Sequence, residues 1–546
     1  MMQPRTAGAI AVVASLLAAL AGCSSGTDQK TSNKVDRKDL VLTTPAGSKK
    51  VDRVTWGTYA GEPYSIDPVR IGSDSEFLAV SNLCDSLLRV QPDFSVKPGL
   101  AKSAAWTSDT KFVIDLRGGV VFWDGTPLTA EDVAFSLKRS ANPKSQSVQT
   151  QAFTNVKSIN VTGPLQVTID FKQHDSQFQN SMAGPAGYVF SKSFTQRVGE
   201  QKFGTASGGI MCTGPFKLER WKSGTSITEV ANDQYWDGKP LIGTLELRFF
   251  DNDSTLVNAL QAGEIDGAFD VPTQAVKRLS TSGLGSLFLG PSTASIGFGA
   301  LSPQGPAGDR RVRQALDLAI DKKAFIKAVA GGYGEPLKAL VPPFAAEGLK
   351  ASDVYSAGYK ALPSDDLDLE RAKKLIAEAK LSSKAMNIVV PAGDQVLAQT
   401  AVIVQAAGKT LGLDIKIKQL QPTDFGRVFV DPTARKGYDL VATRAYQTEP
   451  GVLTFASLFM LPDGYANYLG YNNPEVTKLL SEARQNTDPT KSAEAFVKAQ
   501  ALYTPEKMTT PLAVTYTRVF LSNKLTGMTT SFAYTVSPWA LHLGGK

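Results

Sequence analysis

Few residues of this 546-residue chain combine the types and spacings that enzymatic chemistry requires. The Gly-x-Ser-x-Gly pattern occurs at residues 22–26, but Ser24 lacks the strand–turn–helix context that a nucleophilic serine needs. Residues 408–410 read Gly-Lys-Thr, like the end of a phosphate-binding loop, yet Ile403 stands where that loop requires glycine. Neither pattern therefore predicts a catalytic site.

The counts of histidine and cysteine limit metal chemistry. The chain has two histidines, His174 and His542, and three cysteines. It contains neither a His-Glu-x-x-His nor a Cys-x-x-Cys pattern, which are typical of zinc sites. The sequence thus predicts no metal, no cofactor and no enzyme activity, although the many carboxylates leave a catalytic acid pair open as an alternative.

The overall composition is that of a folded protein. Hydrophobic residues make up 42% and charged residues 20%, which is too apolar for a disordered chain. The 58 Lys and Arg against 51 Asp and Glu give a net charge of +7, which is small for this length and predicts no nucleic-acid partner. The length predicts several domain-sized units or one large body folded into lobes.

The N-terminal residues have the pattern of an export signal. One positive charge, Arg5, precedes an apolar run over residues 7–22 that is too short for a comfortable membrane span. Leu20-Ala-Gly-Cys23 resembles the bacterial lipoprotein signal, which implies cleavage before Cys23 and a lipid anchor on it, at the outer face of the cytoplasmic membrane. The alternative is a soluble secreted protein with an incidental cysteine. Polar residues 23–50 are then predicted to form a flexible tether.

Two cysteines remain for the exported body. Cys84 and Cys212 would face an oxidising compartment, where disulfides persist. Sequence cannot place their Cα atoms within bonding distance. One disulfide and two buried free thiols therefore both stay open.

Strand and helix patterns alternate along the whole body. Alternating apolar residues predict strands, and apolar residues spaced three or four apart predict helices, one of which is capped by Thr129 with Asp132 three residues later. This mixture indicates α/β lobes with mixed sheets. The predicted strands lie at 54–57, 111–117, 216–221, 226–230, 413–420 and 438–442, and the predicted helices at 129–139, 309–329, 369–379, 398–411 and 474–484.

Several motifs occur in the order seen in one protein family. Residues 111–139 resemble the signature of the bacterial extracellular solute-binding proteins of the peptide/nickel class, family 5, which includes the oligopeptide- and dipeptide-binding components of ABC importers. The resemblance covers the chain from about residue 51 almost to its end. The other matching motifs lie at 65–68, 213–218, 232–240, 259–266, 309–316, 319–321, 341–343, 438–440 and 471–475.

The resemblance implies an α/β, two-lobed periplasmic-binding-protein-like fold of the class II type. A hinge would join the lobes, and one lobe would carry an inserted subdomain. The predicted division places the signal peptide at 1–22, the lipidated tether at 23–50, lobe I at 51–85, 205–290 and 505–546, the inserted subdomain at 86–204, and lobe II at 291–504.

The resemblance also implies which residues contact the ligand. In peptide-binding relatives an aspartate after the Tyr-Asp-Leu strand pairs with the ligand's amine, a strong charge-assisted contact. Tyr446 stands at that position here, so either Glu449 or Glu62 replaces the aspartate, or the ligand is not a simple peptide. Arg444 can pair bidentately with a ligand carboxylate. The predicted ligand-binding residues are Tyr59, Glu62, Tyr64, Thr443, Arg444, Ala445, Tyr446, Gln447 and Glu449.

These observations together predict a binding protein. The expected function is capture of an oligopeptide or dipeptide between two closing lobes and its delivery to the permease subunits of an ABC importer by a monomeric lipoprotein. An exported hydrolase of peptides or glycans, and a sensory receptor on the same fold, are the alternatives.

Overall fold

Strands and helices alternate through the computed structural model, which describes residues 35–59 and 61–546. The predicted signal peptide and Cys23 lie outside these residues. The strands are β1 (Val51–Thr58), β2 (Leu88–Val90), β3 (Val96–Pro98), β4 (Ala101–Ser108), β5 (Lys111–Leu116), β6 (Val156–Gly163), β7 (Gln166–Phe171), β8 (Phe216–Lys222), β9 (Ser226–Ala231), β10 (Ile242–Phe249), β11 (Gly267–Ala268), β12 (Gly285–Gly290), β13 (Ser295–Ala300), β14 (Gly334–Pro336), β15 (Ala385–Pro391), β16 (Asp414–Leu420), β17 (Leu440–Ala445), β18 (Thr509–Thr515), β19 (Thr517–Ser522), β20 (Leu525–Thr526) and β21 (Gly544–Gly545).

The helices cover the faces of these sheets. They are α1 (Asp74–Leu83), α2 (Ala130–Ser140), α3 (Phe178–Ser181), α4 (Lys192–Val198), α5 (Asp253–Ala262), α6 (Val276–Ser280), α7 (Arg310–Leu318), α8 (Lys322–Val329), α9 (Phe344–Glu347), α10 (Ser352–Ala361), α11 (Leu369–Ala379), α12 (Gln395–Thr410), α13 (Pro422–Val430), α14 (Leu453–Met460), α15 (Pro474–Gln485) and α16 (Pro489–Tyr503). Within the described ranges, none is both long and apolar enough to cross a bilayer.

Three sheets organise the body. The first has the order β12-β19-β11-β1-β10-β9-β8, and the second has the order β14-β18-β13-β17-β15-β16. Each contains parallel and antiparallel pairs, as the predicted mixed sheets require. The third sheet, β4-β5-β7-β6, is antiparallel and lies between the parts of the chain that build the first sheet.

The chain crosses between the first and second sheets at two adjacent places. Residues 291–294 join β12 to β13, and Tyr516 alone joins β18 to β19. The backbone amide of Thr515 donates to the carbonyl of Ala294 over 2.9 Å, so the two crossings lie side by side. The predicted lobe boundary between 504 and 505 differs from this arrangement, because β18 pairs with β13 and stays in the second sheet.

Residues 35–50, which we call the N-terminal strap, are folded onto the body. The sequence predicts a tether over 23–50, but Thr44 exchanges hydrogen bonds with Met528, its amide donating to the Met528 carbonyl over 2.8 Å. Strand-like pairing of this kind uses backbone groups, so it leaves no periodic pattern of apolar side chains. The predicted tether therefore differs from the structure over the strap.

The start of the strap reaches the second lobe, the part of the chain built around the second sheet. The guanidinium of Arg37 donates to Glu335 at 2.6 Å and to Glu347 at 2.5 Å, and lies over the ring of Phe344. Glu335 also accepts a hydrogen bond from the hydroxyl of Tyr516, at one of the two crossings. The strap thus contacts both lobes beside the segments that connect them.

The motif that carries the family resemblance is structural. Thr129 and Asp132 form a capping box at the start of α2. At the end of α2, the guanidinium of Arg139 donates to both carboxylate oxygens of Asp67, at 2.8 and 2.6 Å, and both side chains are almost fully buried. A buried bidentate ion pair therefore joins two of the matching motifs.

Cys84 follows α1, and Cys212 precedes β8. Their sulfur atoms lie 2.01 Å apart and their Cα atoms 5.0 Å apart, which is a disulfide. Of the two alternatives left by the sequence, the structure has the bonded pair.

Glu229, in the middle of β9, provides a prediction about stability. Its side chain is fully buried, and burial raises its pKa well above the usual range, with the nearby amide of Asn82 offsetting only part of the shift. The unfolded chain releases this proton at about pH 4.3, whereas the folded protein releases it only at a higher pH, so stability falls as the pH rises above about 4.3. We therefore expect Glu229→Gln to raise the free energy of unfolding at pH 8 by more than about 1 kcal/mol, and by less at pH 5.

Denaturant unfolding at both pH values measures this difference. The matched control is Glu219→Gln, at an exposed position of the neighbouring strand β8. It should change the free energy of unfolding by the same amount at pH 5 and pH 8. If Glu229→Gln changed the free energy of unfolding equally at the two pH values, the pKa of Glu229 would not be raised in the folded protein.

Candidate functional site

A cavity of about 320 Å³ opens at the end of β17. Its volume is near the lower limit of ordinary small-ligand sites, about 300–1,000 Å³. Six of the predicted ligand-binding residues line it, namely Thr443, Arg444, Ala445, Tyr446, Gln447 and Glu449. The structure thus brings together the predicted residues that follow one another along β17 and the loop after it.

One wall of the cavity is aromatic and was not predicted. It is built by α13, α14 and the loop after α14, whose side chains interlock; the rings of Phe455 and Phe459, for example, lie edge to face at 5.4 Å. No motif in the sequence distinguishes these aromatic residues from core residues. The wall consists of Phe429, Phe455, Leu458, Phe459, Tyr465 and Tyr468.

Tyr446 closes the side of the cavity that faces the first lobe. Its hydroxyl donates to the backbone carbonyl of Gly72 at 2.6 Å, and its ring packs against Phe77 and Phe532. Gly72, Phe77 and Phe532 all belong to the first lobe, the part of the chain built around the first sheet. The residue that replaces the expected aspartate therefore bridges the lobes.

Arg444, which lines the cavity, is already paired with a carboxylate. Its guanidinium forms a bidentate ion pair with Asp394, the residue that caps α12. Burial alone would lower the pKa of Arg444, but Asp394, together with Tyr59 and Asp74 of the first lobe, raises it. A ligand carboxylate would therefore compete with Asp394 for this arginine.

Tyr59 lies near Arg444 but outside the cavity. Burial, then the adjacent carboxylates of Asp74 and Asp270, raise the pKa of Tyr59 well above its usual range. Burial also raises the pKa of Asp74 to about 6, against the hydrogen bond with Tyr59. Tyr59 and Asp74 therefore lie close enough to Arg444 for their charges to act on it across the lobes.

Gln447 and Thr443 shape the backbone at the cavity. The side-chain nitrogen Nε2 of Gln447 donates to the backbone carbonyl of Gly451 at 2.9 Å, which curls the loop. The backbone carbonyl of Gln447 accepts a hydrogen bond from the hydroxyl of Thr293 at 2.6 Å. The hydroxyl of Thr443 donates to the Arg444 carbonyl. The side-chain oxygen Oε1 of Gln447 is buried and has no partner among the described residues.

Glu449 is the acid that lines the cavity. Its carboxylate accepts a hydrogen bond from Thr448 at 2.7 Å. Burial raises the pKa of Glu449, and the bond from Thr448 only partly opposes this effect. A carboxylate whose charge is disfavoured in this way gains most from a cationic partner.

Glu62 and Tyr64 lie away from the cavity. The carboxylate of Glu62 accepts from the indole of Trp221 at 2.7 Å and the backbone amide of Gly224 at 2.8 Å, at the turn between β8 and β9. Tyr64 is 91% exposed. Of the two acids that the sequence offers as amine partners, only Glu449 is at the cavity, because the fold directs Glu62 to a neighbouring turn.

Within residues 35–59 and 61–546, no three His, Cys, Asp or Glu side chains are arranged to hold a metal ion.

The fold and the cavity together define a two-lobed ligand-binding protein. A model of the bacterial extracellular solute-binding proteins, family 5 (middle region), matches residues 95–467, more than half of the chain. The chain belongs to this family, whose members bind solutes outside the cytoplasm, and the predicted family is confirmed.

The relatives agree with this assignment. The oligopeptide-binding protein OppA of Bacillus subtilis is 25% identical over 479 residues, covering 83% of this chain and 85% of that protein. The glutathione-binding protein GsiB of Escherichia coli is 25% identical over 475 residues, covering 85% and 89%. Both are similar to this chain over most of their length.

A solved structure supports the fold. The oligopeptide-binding protein AppA of Bacillus subtilis, determined in complex with a nonapeptide, superposes with a TM-score of 0.77 at 20% identity, covering 91% of this chain and 99% of that one. The predicted two-lobed α/β fold is thereby confirmed.

Proposed function

We propose that this chain binds a short peptide in the cavity at the end of β17 and presents it to the permease of an ABC importer. The observation that carries the proposal is an open strand edge. β15 pairs with β17 only opposite Leu440 and Val441, so beyond these residues that edge of β17 has no strand partner in the described part of the chain. An extended peptide can add to such an edge through backbone hydrogen bonds.

Two charged groups that line the cavity suit the two ends of a peptide. Glu449 offers a carboxylate to an ammonium group, and Arg444 offers a guanidinium to a carboxylate. The aromatic wall of the same cavity suits an apolar side chain, and the volume suits a short ligand. Binding followed by release requires no catalytic group, in keeping with our proposal that the protein is not an enzyme.

The two adjacent crossings between the sheets are the proposed hinge. A rotation there would open the contact between Tyr446 and Gly72 and admit the ligand. In this proposal lobe I and lobe II meet at residues 291–294 and at Tyr516, and the protein acts as a monomer anchored by a lipid on Cys23.

Mass spectrometry of the protein purified from its own host tests both proposals. Under native conditions we expect a bound peptide, and after denaturation we expect a chain that begins at Cys23 and carries the additional mass of lipid. A non-peptide cargo would overturn the ligand proposal. An unmodified Cys23 would overturn the anchor.

A further inference from the structure

We propose that the inserted subdomain positions the acidic loop, residues 447–451, and thereby sets the preference for a ligand ammonium. This inference rests on the proposed function, because it concerns how Glu449 is held. It makes Gln177 and Gly184, which lie outside the predicted ligand-binding residues, positioning residues for the ligand.

Three hydrogen bonds fix the ends of the acidic loop, two of them to residues outside the loop and one within it. Thr293, in one of the crossings between the lobes, donates to the Gln447 carbonyl at 2.6 Å. The Gln447 side chain donates to the carbonyl of Gly451, and the amide of Gly451 donates to the carbonyl of Ala345 at 3.0 Å. These bonds hold both ends of the loop but leave its centre, with Glu449, to be held from elsewhere.

Gln177 of the inserted subdomain holds the centre. Its amide nitrogen donates to the carbonyl of Pro450 at 3.0 Å, and the side chain is 4% exposed. The fit is close, since a methyl group built on Gly451 would lie 2.2 Å from the terminal nitrogen and oxygen of the Gln177 amide. The subdomain therefore contacts the loop directly after Glu449.

Gly184 makes the second contact, with Glu449 itself. A methyl group built on Gly184 would lie 3.1 Å from Cβ and 3.4 Å from Oε2 of Glu449. The backbone of Gly184 is extended, with φ of −106°, a conformation that alanine adopts without strain. The missing side chain at this position leaves room for the Glu449 carboxylate.

An ion pair holds the subdomain in this position. Asp175, two residues before Gln177, pairs with Arg484 of α15 at 3.1 Å, and Asp175 is almost fully buried. The amide of Ser176 donates to the carbonyl of Arg484 at 2.8 Å. The segment that carries Gln177 is thus bound to the second lobe, and its position is transmitted to the acidic loop.

Two variants test the inference with a matched pair of peptides, one with a free N-terminus and one N-acetylated. We expect Gly184→Ala and Gln177→Ala each to reduce the preference for the free amine, measured as the ratio of the two dissociation constants, by about three- to tenfold, the effect of misplacing one hydrogen-bonding group. The controls are Gly118→Ala, where an added methyl would only touch Leu165 at 3.9 Å, and Gln179→Ala, whose side chain bonds to Ala104 within the subdomain.

Amide hydrogen exchange of the full chain provides a readout that needs no ligand. Residues 447–451 should exchange faster in Gln177→Ala than in Gln179→Ala, because only the former loses a bond to the loop. Unchanged exchange together with an unchanged ratio would overturn the inference. A wild-type protein that binds neither peptide would overturn the proposed function, and hydrogen exchange would still decide whether the subdomain positions the loop.

Discussion

Glu449→Gln is expected to weaken binding of a free-amine peptide by about 10- to 100-fold, because the charged hydrogen bond it removes contributes about 1.5–3 kcal/mol. The N-acetylated form of the same peptide should lose little. Glutamine preserves the size of the side chain and its ability to accept a hydrogen bond from Thr448, so only the charge changes. The aromatic wall should continue to hold the apolar side chain of either peptide.

The same interaction should depend on pH. In the empty protein, burial raises the pKa of Glu449, and an ammonium group beside it would lower the pKa again. Binding therefore favours the ionised form, and affinity for the free-amine peptide should fall as the pH drops from the raised pKa of Glu449 in the empty protein towards its lower pKa in the complex. Glu449→Gln should remove this dependence.

Calorimetric titration of both peptides against both proteins measures these effects. Glu62→Gln is the control, because the Glu62 carboxylate is held by Trp221 and Gly224 away from the cavity. Equal losses for the free and acetylated peptides would exclude Glu449 as the partner of the ammonium. A loss in Glu62→Gln confined to the free-amine peptide would instead assign that role to Glu62.

Asp67→Asn is expected to lower the free energy of unfolding by about 3–5 kcal/mol. The change would leave the Arg139 guanidinium buried without its bidentate carboxylate, and a charge enclosed in this way is costly. Glu200, which is itself partly exposed, would remain as a weaker partner at 3.3 Å. Denaturant unfolding measures the loss.

The control lies on α2, the helix that carries Arg139. Glu131 of α2 pairs with Lys192, but both side chains are well exposed, so Glu131→Gln should cost less than about 1 kcal/mol. Similar losses in the two variants would mean that burial adds nothing to the pair between Asp67 and Arg139.

Local elements were largely predictable from the sequence because their signals are local. Thr129 and Asp132 lie within one turn of each other and form the predicted capping box. The predicted helix over 309–329 is interrupted, however, and forms α7 and α8. Asp321 accepts hydrogen bonds from the amides of Lys323 and Ala324 and so starts a new helix, a capping signal that the apolar periodicity conceals.

The candidate site was predictable along β17 and not across the lobes. Thr443 to Glu449 follow one another in sequence, so the order of motifs places them together. Glu62 and Gly72 come from the same early part of the chain, yet Gly72 meets Tyr446, whereas Glu62 turns to Trp221. Which of two such residues reaches the cavity depends on packing between distant segments, for which a single sequence carries no signal.

The N-terminal strap shortens the linker between the body and the lipid proposed for Cys23. An extended chain spans at most about 3.5 Å per residue, so a linker of residues 23–50 would allow at most about 100 Å between the membrane and the body, whereas one of residues 23–34 would allow at most about 40 Å. This linker would join the body beside Arg37, which contacts Glu335 next to the crossing at Tyr516. Points close to a rotation axis move least, so the proposed opening of the lobes would scarcely pull on the proposed anchor.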